Sequence, residues 1–107
     1  MGAKKDSIIN SFRKAVMKHI SPCQIVLFGS RAKGKARADS DYDFLLVSPH
    51  FKKWNWELRL AKAYGWKRNI PAAMDILCYT PEEFEQKKKQ IGIVQQAVKE
   101  GVEILSR

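Results

Sequence analysis

Apolar residues change their spacing several times along this chain, and each change marks an element. Ile8, Phe12, Val16 and Ile20, with Ile9 beside them, recur at the interval that lines one face of a helix. This predicts an amphipathic helix over 6–20, capped by Asp6 or Ser7 and stopped by Pro22. "CQIVLFG" (23–29) is a short apolar, β-branched run closed by glycine, the pattern of a buried strand, and "YDFLLV" (42–47) reads as a second strand. The polar stretch "SRAKGKARADS" between them is a loop, with room for one helical turn after Gly29-Ser30.

A second helical pattern covers 51–68. Phe51, Trp54, Leu58 and Ala61 form one stripe and Trp56, Leu60 and Ala63 another beside it, the second facing either the core or a partner. "AAMDILCY" (72–79) predicts a third strand. Thr80, Pro81 and Glu83 then have the spacing of a capping box, so a helix follows, with a break near Gly92. "GVEIL" (101–105) reads as a last short strand or a frayed end. The order predicts an α/β (α+β) fold, a small mixed β-sheet packed by helices. With 107 residues, 45% of them apolar, and no linker or repeat, the chain is expected to form a single domain over 1–107.

Composition narrows the picture. No run approaches the ~20 apolar residues of a membrane span. The start, "MGAKKDSIIN", lacks the apolar region of a secretion signal, and Asp6 stands where a myristoylation motif wants Ser or Thr. Cys23 and Cys78 have no metal-site spacing and read as buried free thiols, which fits a cytoplasmic protein. A formal net charge of +9 favours an anionic partner as much as it reflects lysines solvating helix faces.

The acids are less easily explained. Asp41 and Asp43 are two residues apart at the start of a strand, so both side chains point to one side. Asp43 runs straight into "FLLV", and Asp75 interrupts a second apolar strand, "AAMDIL". Carboxylates in such places are costly unless a cation pairs with them. A solvated turn accounts for an isolated "DSDYD", and Asp39 is read as such a surface turn residue. It does not account for two acids inside apolar strands. A hard divalent ion such as Mg²⁺, completed by phosphate oxygens and water, satisfies them. The Gly29-Ser30 turn offers backbone N–H groups for phosphate, with Arg31, Lys33, Lys35 and Arg37 close by. "GSRAKGKA" falls short of a P-loop, because Ala36 replaces the hydroxyl residue that would bind Mg²⁺.

Gly29, Ser30, Arg31, Gly34, Ser40, Asp41 and Asp43 in "FGSRAKGKARADSDYDFLLV" resemble the signature of the DNA polymerase beta-type nucleotidyltransferase superfamily. Short chains of this kind resemble its minimal nucleotidyltransferases (MNT proteins), many of which are antitoxins paired with HEPN ribonuclease toxins. The resemblance implies a polymerase-beta-like core and transfer of a nucleoside monophosphate from ATP or another NTP, releasing pyrophosphate. It implies that Asp41, Asp43 and Asp75 ligate two Mg²⁺ ions, about 3.5–4 Å apart in such sites. Asp75 would also be the base toward the acceptor hydroxyl. Gly29, Ser30, Arg31, Lys33 and Ser40 would bind the nucleotide. The acceptor could then be a tyrosine of a HEPN-type partner.

Two other readings remain open at this stage: a non-catalytic, antitoxin-like binding module, and, less favoured, a basic nucleic-acid-binding domain. His19 and His50 are isolated and read as surface or helix-end residues. Tyr42 is expected in the core, facing away from the aspartates, Tyr79 in packing at its strand's end, and Tyr64 and Trp66 in closing their helix in preference to stacking on a base.

Overall fold

The computed structural model describes residues 6–37 and 39–106. The elements are α1 (Ser7–His19), β1 (Gln24–Phe28), β2 (Tyr42–Val47), a 3₁₀ turn (Pro49–Lys53), α2 (Trp56–Trp66), β3 (Met74–Tyr79), α3 (Pro81–Lys88), α4 (Ile93–Glu100) and β4 (Val102–Ser106). The strands form one sheet in the order β3-β2-β1-β4. β2 and β3 are parallel, while β1 pairs antiparallel with both β2 and β4.

Strand alternation divides the core. Ile25, Leu27, Tyr42, Phe44, Leu46, Met74, Ile76 and Cys78 face α1 and α2, where Ile9, Phe12, Val16 and Ala63 cover them. Val26, Phe28, Leu45, Val47 and Tyr79 face the other way, toward Phe84 of α3 and Val94 and Ala97 of α4. The sheet is therefore sandwiched between two helical layers, as the element order predicts. Asp43 and Asp75 fall on the α3/α4 face by the same alternation.

Local signals act where expected. The Asp6 carboxylate accepts the N–H groups of Ile8 and Ile9 to start α1. The capping box of Thr80 and Glu83 forms in both directions. The expected break at Gly92 separates α3 from α4, and the C-terminal segment is strand β4. Both cysteines are free and buried, and burial pushes each thiol up to about 12. No helix among the described residues is long and apolar enough to cross a membrane.

The helix expected over 51–68 is two pieces. The chain turns at Trp54, and the Asn55 side chain accepts from the Leu58 N–H to begin α2 afresh. The break rotates the expected stripes: Leu58 and Trp56 are both 42% exposed, and the residues of α2 turned inward are Ala63 and Arg59. The Arg59 guanidinium donates to the carbonyls of Phe51, Trp54 and Cys78 and pairs with both oxygens of Glu83. One buried cation thus ties the 3₁₀ turn, β3 and α3 together.

Replacing Arg59 with Met should cost about 3 kcal/mol in urea unfolding, because three carbonyls and a carboxylate lose their donor. A loss below about 1 kcal/mol would reduce the pair to an ordinary surface bridge. Arg59 holds the Glu83 carboxyl below its ordinary 4.5. That stabilisation is complete above 4.5 and is lost as pH falls through the lowered value, so the variant should lack this acid-side decline.

Candidate active site

The site is built where β1 ends and β2 and β3 begin. β1 runs into Gly29, whose φ of 75° is a left-handed conformation that glycine adopts without penalty. A side chain at Gly29 would collide with the Asp43 carboxylate, so the missing Cβ is the space that Asp43 occupies. The following turn closes on itself, the Lys33 N–H bonding the Gly29 carbonyl and the Lys35 N–H that of Ser30.

Parallel pairing of β2 with β3 sets Asp43 and Asp75 side by side in register. Burial raises the Asp43 carboxyl above its ordinary 3.8, and the charges of Asp75 and Asp41 raise it further, as does a hydrogen bond with Asp75. Asp41 lies just before β2 and is exposed, at the mouth of the site. The structure therefore brings Asp43 and Asp75 together and leaves Asp41 at the rim. Among the described residues, no three His, Cys, Asp or Glu are gathered closely enough to enclose a metal ion. The donor chemistry nevertheless fits a hard divalent cation, since oxygen-only ligands that repel one another beside an open turn are what Mg²⁺ with phosphate and water neutralises.

Two basic residues of the loop, Arg31 and Lys33, are already engaged. Arg31 donates to the Ser40 and Arg37 carbonyls and lies 4.0 Å over the Tyr42 ring. Ser40 Oγ accepts the Arg37 N–H. Tyr42, buried on the opposite face from the aspartates as expected, donates its hydroxyl to Asp6. Loop, β2 and the cap of α1 are thus one connected unit. Lys33 reaches across to Glu100 at 2.8 Å, while Gln96 holds the other Glu100 oxygen. Gly29, Lys33 and one face of α4 from Ile93 to Glu100 line a cleft of about 580 Å³.

The remaining residues singled out in the sequence lie away from this constellation. Asp39 is exposed. His19 ends α1 stacked on Trp66, and His50 contacts the Ser21 carbonyl at 3.0 Å. Trp56 leans on Tyr79, with ring centroids 5.4 Å apart. Glu100 is not marked by the sequence, because it stands far from the signature and no local pattern singles it out.

The chain belongs to the nucleotidyltransferase domain family, whose model matches residues 9–105. No match is found among curated proteins. Among solved structures, the chain resembles a toxin-antitoxin protein crystallised with AMP-PNP (TM-score 0.68, 19% identity, 92% of this chain and 73% of that one). It also resembles a candidate nucleotidyltransferase from Sulfolobus solfataricus (TM-score 0.63, 21% identity, 92% and 77%). BolA1 from Arabidopsis thaliana shares the fold over 73% of this chain and 96% of its own, with TM-score 0.59 and 21% identity. At these identities the likenesses concern the fold.

Because its pKa is raised, Asp43 weakens the folded state once pH rises above that value, and the penalty disappears below 3.8. Asp43→Asn, with a chelator present, should therefore melt higher than the wild type at pH 7, and the gap should close as the solution is acidified. An Asn variant melting lower at pH 7 would refute the like-charge strain.

Proposed function

We propose that this chain is a Mg²⁺-dependent nucleotidyltransferase of the minimal (MNT) type, a single catalytic domain that transfers AMP from ATP to an acceptor hydroxyl. The observation that supports this best is the in-register pair Asp43 and Asp75 beside the left-handed Gly29. The acceptor is a tyrosine of a HEPN-type toxin, and the chain acts as its antitoxin. The toxin-antitoxin neighbour crystallised with AMP-PNP supports both the nucleotide and this setting.

In this reading Asp41, Asp43 and Asp75 hold two Mg²⁺ ions. Bound there, the ions supply Lewis-acid stabilisation of the attacking and leaving oxygens. Gly29 and Ser30 hold the triphosphate through their backbone N–H groups, and Lys33 neutralises charge that develops on the leaving pyrophosphate. Arg31 and Ser40 keep the nucleotide-binding loop folded from behind. The acceptor oxygen bonds to the α-phosphorus, its proton passes to Asp75, and the bond to the β-phosphate oxygen breaks, releasing pyrophosphate.

Calorimetric titration of ATP with Mg²⁺ tests the site. Wild type should bind only with metal present, and Asp43→Ala should abolish binding. No binding by the wild type would discard the stand-alone site and favour a non-catalytic binding module.

Lys33 is already paired with Glu100, which competes with phosphate for its charge. Glu100→Gln should therefore tighten ATP binding about two- to fivefold, the scale of an exposed ion pair. Equal affinity in variant and wild type would separate Lys33 from the nucleotide.

A further inference from the structure

β3 is an edge strand, so one side of its backbone has no strand to bond. The groups flanking Asp75 on that side, the Met74 carbonyl and the Ile76 N–H, are both bonded by a single atom. The Tyr64 hydroxyl, reaching from α2, donates to Met74 O and accepts from Ile76 N, each at 3.2 Å. One phenol thus stands in for the missing strand on both sides of Asp75. Tyr64 is 39% exposed, at the surface of α2.

Asp75 is a demanding residue to place. It lies next to Asp43 in register, and like charges push the two strands apart. β2 is held on both sides, by β1 and β3, and cannot yield. β3 can, because its far side is covered by a helix, α2, in place of a strand, and its N-terminal end follows the irregular segment 69–73. The repulsion would therefore be relieved by β3 peeling outward at Asp75, the place where Tyr64 is bonded.

We propose that Tyr64 is a positioning residue for Asp75: its hydroxyl clamps the β3 edge and holds the Asp75 carboxylate at the spacing from Asp43 that a shared cation requires. The proposal rests on the nucleotidyltransferase reading of the site. It assigns no contact between Tyr64 and the substrate.

Tyr64→Phe removes the hydroxyl and keeps the ring. Leu60→Ala, which trims a partly buried α2 side chain packed against the core, serves as a variant that loosens α2 without touching the clamp. By amide exchange, the Ile76 N–H of Tyr64→Phe should exchange about tenfold faster than in wild type, with Phe44 unchanged. Affinity for Mn²⁺ without nucleotide, and kcat for nucleotidyl transfer, should each fall about tenfold, the usual scale for residues supporting metal ligands. KM for ATP should stay within about twofold. Leu60→Ala should lower the melting temperature and leave these values near wild type.

Unchanged exchange at Ile76 would overturn the clamp. Faster exchange with Mn²⁺ affinity and kcat no lower than in Leu60→Ala would overturn the positioning role. A wild-type chain that binds no Mn²⁺ would remove the proposed function itself, and the role of Tyr64 with it. That result is distinguishable, because it appears before any variant is made.

Discussion

Two carboxylates held side by side against their own repulsion are the constraint on which this structure turns. Asp43 and Asp75 meet because β2 and β3 run parallel and in register, and most of the surrounding architecture keeps that meeting in place. Parallel strands cannot be joined by a tight turn, so the chain between them must leave the sheet and return. It does so through the 3₁₀ turn and α2. The crossover that this topology requires is also the element that braces the far side of β3.

Several polar contacts share the work. Arg59 gathers the 3₁₀ turn, β3 and α3 around one buried cation. Arg31, stacked on Tyr42, closes the loop before β2, and Tyr42 passes the restraint to the cap of α1 through Asp6. Each spans elements distant in sequence. Together they limit how far the strand ends can move, whereas the apolar layers on both faces of the sheet set the overall packing.

Much of this was legible in the chain. Strand periodicity located β2, the capping box located α3, and the signature from Gly29 to Asp43 placed the loop. Asp43 and Asp75 stood out because charge inside an apolar strand needs a reason. What the pattern could not disclose depended on tertiary contacts. Arg59 reads as a surface residue until the break at Asn55 rotates α2 and turns it inward. Tyr64 and Glu100 meet their partners only once α2 reaches β3 and α4 reaches the loop, and helical spacing does not reveal what lies opposite an exposed position.

The strand order has a consequence for how the protein is made. β1 is central, yet its neighbour β4 lies far along the chain from it, so one edge of a strongly apolar strand stays unpaired until residues 102–106 have been made. The β1–β2 pairing closes a shorter loop than the β1–β4 pairing and so carries the lower entropic cost. Nascent chains halted before residue 102 would carry the complete set of aspartates on an open-edged sheet, vulnerable to pairing with one another.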